Sequence, residues 1–316
     1  MTLPFPSRRA THALGALGLA LLSACAKKDE APQETAPPPR DPNTPLFTAG
    51  TGLQTPESVL WDAAHGQWLV SNINGNPPQK DDNGYIVRLD ADGKAIDSLP
   101  FINGADDDVT LHAPKGMALE GDTLWVADID ALRGFNRLTG APVATIEFGT
   151  QAKFLNDVVV SHDGTLYLTD TGIIIGADGI THPGPDRIFA VKGGAVSVAA
   201  EGDWLARPNG ITMDHMNNRF IVVPFGGGAL LGWHPGEGKV DTMGIGPGAQ
   251  DGVEILGSST YVTSWADSTL FMVGDSANTK VATGINSPAD IGVDPARGLV
   301  AIPLFTENKV EFWKVK

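Results

Sequence analysis

An all-β chain built from repeats around an axis is predicted by three observations. A strand–turn–strand unit recurs six times. Its clearest copy is FLNDVVVSHDGTLYLTDTG, from Phe154 to Gly172, where β-branched and aromatic runs flank the turn His162-Asp163-Gly164. The other copies open at Pro56, Pro114, Pro208, Gln250 and Pro288. The residue after each leading Pro, Leu or Gln is Glu57, Lys115, Asn156, Asn209, Asp251 and Ala289, at intervals of 38 to 58 residues. The shorter intervals suit a four-stranded unit and the longer ones suit the same unit with an insertion. One such sheet cannot bury both faces alone, so the units must stack, and the closed solution is a six-bladed β-propeller.

Residues 1–24 read as an export signal outside this fold. Arg8 and Arg9 form a positive start, and Ala13 to Ala24 an apolar run too short to span a membrane. Ser7-Arg8-Arg9 invites a twin-arginine reading, but the apolar residues expected after the pair are missing, which favours general export. Leu22-Ser23-Ala24-Cys25 resembles the bacterial lipobox, which implies acylation of Cys25, the single cysteine of the chain. Cleavage near Ala24 with a free thiol is the alternative. Residues 25–45 then form a lipidated cysteine and a Pro-rich tether, leaving 46–316 for the propeller. With Ala at position 26, resemblance to Gram-negative lipoproteins implies the outer membrane, facing the periplasm.

The chain has 37 acidic and 22 basic residues, a net charge of −15. That balance excludes nucleic acid as a partner and confines any membrane contact to the lipid anchor. With Cys25 acylated, no disulfide forms and no thiol is left for catalysis.

Blade geometry places the candidate residues. The innermost strand A and the returning strand B are antiparallel, so the start of A and the end of B share one face of the disc. The six aligned residues therefore ring the channel mouth. The B-strand ends join them: Ser71-Asn72, Asp128 with Asp130, Asp170, and Trp265 with Asp267, while two blades end in Pro224-Phe225 and Pro303 to Phe305. Insertions at Asn72 to Gly84, Asn103 to His112 and Thr171 to Asp186 rise from the same face, as loops that build a binding site do. The segment Pro45 to Leu53 is expected to close the circle as the outer strand of the last blade.

Glu57 in PES, Asn156 in LND, Asn209 in PNG and Asp251 in DG resemble, in blade order and phase, the metal ligands of the regucalcin/gluconolactonase family of six-bladed propellers. Paraoxonase and strictosidine synthase are more distant members of that resemblance. It implies that Glu57, Asn156, Asn209 and Asp251 hold one divalent cation, calcium above all, and that Asp251 is also catalytic in lactone hydrolysis. The residue types agree: two carboxylates and two amide oxygens are hard donors suited to Ca²⁺ or Mg²⁺. Water held by polar channel residues is the simpler alternative.

Lys115 is the departure, since an ammonium beside a dication is repulsive. It either clamps an anionic substrate from the rim, reaches Glu57 or Asp251 and replaces the metal, or extends to solvent. Asp290 is placed to add a carboxylate to the channel. Asn72, Asn74 and Asp128 are further substrate-binding candidates, the asparagines through amides that read hydroxyls on a sugar acid; the alternative for them is an Asx turn. The expected function is metal-dependent hydrolysis of a lactone or related ester, the ligand being lactone-like or sugar-acid-like. The alternative is a non-catalytic propeller that binds a ligand or an envelope partner.

Overall fold

A computed structural model describes residues 41, 43–98, 100–274 and 276–315, the side chain of residue 239 excepted. The expectations for the signal segment, Cys25 and most of the tether lie outside the described residues. Among these residues six four-stranded antiparallel sheets form, with one additional two-stranded hairpin. No helix among them is long and apolar enough to cross a membrane.

The A and B strands follow the repeats. They are Pro56–Asp62 and Gln67–Asn72 in blade 1, Pro114–Glu120 and Thr123–Asp128 in blade 2, and Leu155–Val160 and Leu166–Asp170 in blade 3. Blades 4, 5 and 6 use Pro208–Asp214 with Arg219–Pro224, Gln250–Leu256 with Ser259–Ser264, and Gly292–Asp294 with Leu299–Leu304. Blade 6 is closed as expected. Its outer strand is Phe47–Ala49, paired antiparallel with Lys309–Lys314, so the two ends of the propeller share a sheet and no blade is left open.

The apolar core is distributed, with one cluster at each junction between blades. Trp68 of blade 1 meets Phe312 of blade 6 with ring centroids 5.3 Å apart, and Tyr167 of blade 3 meets Trp233 of blade 4 at 5.2 Å. Comparable clusters fill the remaining four junctions. Burial between blades, rather than within one, holds the circle shut.

Two features of this frame position the channel mouth. In blades 1 to 5 the A strand slips register against B right at its start, between Pro56 and Ser58, Pro114 and Met117, Leu155 and Val158, Pro208 and Ile211, and Gln250 and Val253. Such a bulge bends a strand and re-aims a side chain, and here it acts on the aligned ring residues. The blade 3 insertion, expected as a long loop, folds into its own hairpin, Ile174–Gly176 paired with Gly179–Thr181.

Candidate functional site

Glu57, Asn156, Asn209 and Asp251, each no more than 5% exposed, line one cavity of about 160 Å³ at the upper mouth of the channel. Each carries a buried oxygen without a hydrogen-bond partner among the described residues: Glu57 Oε2, Asn156 Oδ1, Asn209 Oδ1 and Asp251 Oδ1. An unsatisfied buried oxygen costs about 1–3 kcal/mol. Four from four different blades at one spot ask for a shared electropositive partner. Two carboxylates and two amides are a donor set that fits a hard divalent cation. No group of three or more His, Cys, Asp or Glu side chains among the described residues is arranged for a metal, so any cation here depends on both amides.

Electrostatics point the same way. Burial, then the Asp251 charge, pushes the Glu57 carboxyl well above its ordinary range, and Lys115 only partly offsets this. Burial, then Asp290, does the same to Asp251. Trp265 and Asn209 approach Asp251 and act in the opposite direction, although the Trp265 indole N–H makes no hydrogen bond of good geometry. Without added positive charge the ring cannot hold both carboxylates ionised cheaply.

Lys115 is neither on the rim nor in solvent. It is 1% exposed, donates to the Ala113 carbonyl at 2.9 Å and lies 4.3 Å from the Phe154 ring centroid. Burial lowers its pKa against the pull of Glu57 and then Asp128, and it in turn acts on Glu57. The solvent reading is thereby corrected, while Lys115 still lines the cavity together with the four ring residues. The ammonium lies folded back under an aromatic ring.

The asparagine and aspartate candidates are placed elsewhere. Asn72 is fully buried, accepts from the Gln54 N–H at 2.9 Å and donates to the Val70 carbonyl at 3.0 Å. Asp128, also fully buried, accepts from the His112 and Ala113 N–H groups and from Arg133. Asp170 repeats the device on Lys153 and Phe154. These B-strand ends brace the backbone that leads into each A strand, which consumes their hydrogen bonds. Asn74 donates to the Asn83 carbonyl in its own loop, and neither Asn72, Asn74 nor Asp128 lines the cavity.

Positioning residues outside the candidate set are Thr169 and Thr263. The Thr169 hydroxyl accepts from the Asp157 N–H at 3.0 Å and donates to the Asn209 carbonyl at 2.5 Å. Thr263 accepts from the Gly252 N–H at 2.8 Å and donates to the Ala289 carbonyl at 3.0 Å. Each fills a bulge and ties one ring residue's backbone to the next blade. Arg207 and the hairpin isoleucines also line the cavity, and no motif marks them.

One layer down, Asp290 accepts from Ser58 at 2.5 Å and shares a second cavity with Asp157 and Glu254. Burial pushes Asp290 up to about 7; burial, then Asp290, pushes Glu254, partly open at the lower mouth, to about 8. These folded-state values exceed those of the unfolded chain. The stabilisation from the retained protons is present at acidic pH and is lost as pH rises through about 7 to 8. Thermal melts in chelator are expected to give a melting temperature roughly 5 °C or more lower at about pH 8.5 than at about pH 5.5. A flat profile would take these carboxyls out of the stability account.

No protein-family model matches the chain. No curated protein matches it either. Among solved structures, it is similar to one described provisionally as a gluconolactonase, at 16% identity and TM-score 0.60, covering 85% of this chain and 93% of that one. It is also similar to a chain in the crystal structure of a nidogen/laminin complex, at 19% identity and TM-score 0.56, covering 71% and 77%. Likenesses at these identities show the fold alone. Fold and site together define a six-bladed β-propeller with a buried carboxylate–amide ring at one mouth of its channel.

Proposed function

We propose that the chain is a divalent-metal-dependent hydrolase of a lactone or related ester. The observation that carries this reading is the set of four partnerless buried oxygens on Glu57, Asn156, Asn209 and Asp251, gathered at the floor of one cavity. The likeness to the provisional gluconolactonase is consistent with it. A calcium-like ion held by these four residues would polarise the ester carbonyl and neutralise the charge that develops on its oxygen. Asp251 is the base of the ring: its carboxylate takes the proton of the attacking water as the water oxygen bonds to the acyl carbon. The acyl–alkoxy bond then breaks, the proton passes to the alkoxy oxygen, and a hydroxy acid leaves. Asn156 and Asn209 hold position and carry no proton. The same reading places the protein in the cell envelope on a lipid anchor at Cys25.

Lys115 in the ring is the one feature that favours the second reading, a binding propeller without turnover. Calorimetric titration of the purified chain with calcium, alongside a lactone and ester panel, separates the two. Calcium is expected to bind at one site. Lys115→Met is expected to tighten it about tenfold, or about 1.4 kcal/mol, by removing a like charge. A wild type that binds no divalent cation would sink the hydrolase reading.

A further inference from the structure

We infer that the cavity above the ring is built for a small apolar ring, a lactone or cyclic ester bearing a short alkyl or aryl group, and that it rejects polyhydroxylated sugar lactones. The ring chemistry of this substrate rests on the hydrolase reading. The apolar preference rests on the cavity walls alone.

Those walls are a second repeat feature, one residue beyond each B strand. The positions are Ile73, Ile129, Thr171, Phe225, Trp265 and Phe305, and all but Ile129 line the cavity. The same closure fixes most of them. Ile73 N–H donates to Thr55, Phe225 to Arg207, Trp265 to Ala249 and Phe305 to Ser287, each carbonyl lying before the A strand of the same blade and each bond 2.8–3.0 Å long. Five of the six collar residues are apolar. Three are aromatic and adjacent, with Phe225 6.1 Å from Trp265 and Trp265 5.6 Å from Phe305 between ring centroids. On the side where the collar is only Thr171, the blade 3 hairpin supplies Ile175 and Ile180. Ile180 is 64% exposed, an apolar side chain that a bound substituent would cover.

Sugar recognition needs free hydroxyl and amide groups, and the walls do not offer them. The Thr171 hydroxyl is spent on the Phe154 carbonyl at 3.2 Å. Asn72 and Asn74 bond to backbone away from the cavity. Outside the four ring residues, the remaining polar wall groups are Lys115 and Arg207, cations suited to a carboxylate product rather than to a polyol, and the indole N–H of Trp265, a single donor. Unpaired hydroxyls pressed against Phe225, Trp265 and Phe305 would lose their hydration without compensation. A volume of about 160 Å³ is close to that of cavities which hold a single benzene, about 150 Å³. One ring and a few carbons fill it.

The test uses lactams, which keep the ring and carbonyl and resist hydrolysis. Calcium-loaded full-length protein is titrated calorimetrically with δ-valerolactam, its 6-methyl, 6-ethyl and 6-propyl derivatives, and D-glucono-δ-lactam. Affinity is expected to rise up to about tenfold per added methylene until the cavity is full. The polyhydroxylated lactam is expected to bind at least about tenfold more weakly than the best alkyl one. Phe225→Gln should reduce the alkyl preference by about tenfold; if that variant fails to fold, the wild-type series still decides. Equal or tighter binding of D-glucono-δ-lactam overturns the inference, as does binding of neither class. Alkyl lactams bound while no lactone is hydrolysed would support the apolar site and defeat the hydrolase reading. Preferred turnover of sugar lactones would do the reverse.

Discussion

Asp251→Asn is expected to lower turnover by about 10²-fold or more on whichever lactone or ester the panel identifies, the scale usual for losing a general base. The substitution keeps the side chain's size and one oxygen and removes its charge and basicity. Little else should change, because Asp251 contributes no apolar burial and its Oδ1 has no protein partner to lose. Burial and then Asp290 disfavour its ionised form, so the neutral amide should stabilise the metal-free channel at alkaline pH. Asn156→Ala and Asn209→Ala remove oxygens that have no protonic role. They are expected to raise the metal concentration needed for activity, so excess calcium restores them, whereas Asp251→Asn stays slow at any concentration. Initial rates across a calcium series distinguish these cases. Full activity in Asp251→Asn would remove this carboxylate from the chemistry.

How far the sequence revealed this site depends on what each residue's position obeys. The six A-strand starts were legible because a repeat fixes their phase, and a fixed phase in a closed circle puts equivalent residues at one radius. The outer strand Phe47–Ala49 was legible for a related reason: the last blade lacked a partner and the segment before Pro56 was free to supply it. The B-strand ends obey a local demand instead. Asn72, Asp128 and Asp170 stand at the mouth in the alignment, but unpaired N–H groups of the preceding loops claim their side chains. Which way such a side chain turns depends on donors that no period in the sequence marks. The bulges are equally silent, since one extra residue looks the same in a strand pattern as a shift of its start. Lys115 shows the limit most plainly. Its charge suggested the rim, yet a bend back onto the Ala113 carbonyl and the Phe154 ring satisfies it inside. The apolar collar was visible only in part, through Pro224-Phe225, Trp265 and Pro303 to Phe305.

The glycines that follow Lys115, Asn209 and Asp251 in the ring carry the other large expected effect, and it falls on the fold. In sequence, Asp251-Gly252 reads as a turn. In the structure Gly252 lies inside strand A of blade 5, and its N–H is bonded to Thr263. Its backbone is not in the left-handed region, so conformational freedom does not explain it. Space does. A Cβ there would sit 2.5 Å from Ile291 N, 2.7 Å from Asp290 Cα and 3.0 Å from the Ala289 carbonyl oxygen, all backbone of the neighbouring blade. Gly210 faces the Asp251 carbonyl oxygen in the same way at 2.4 Å, so the inner strands touch backbone to backbone around the channel. A methyl group cannot be accommodated by rotating a side chain; a strand must move, and the ring moves with it. Gly252→Ala is therefore expected to cost about 3 kcal/mol, the upper end for overpacking, and to lower the melting temperature by roughly 6–12 °C. Gly257→Ala is the control. That glycine sits in the A–B turn of the same blade at φ +65°, with nothing within 4 Å of an added Cβ, so its cost is the left-handed strain alone, about 1–2 kcal/mol. Thermal melts of both variants in calcium and in chelator measure the difference. Melting of Gly252→Ala within about 2 °C of the wild type would mean the inner strands can part, and the ring geometry would lose its rigid support.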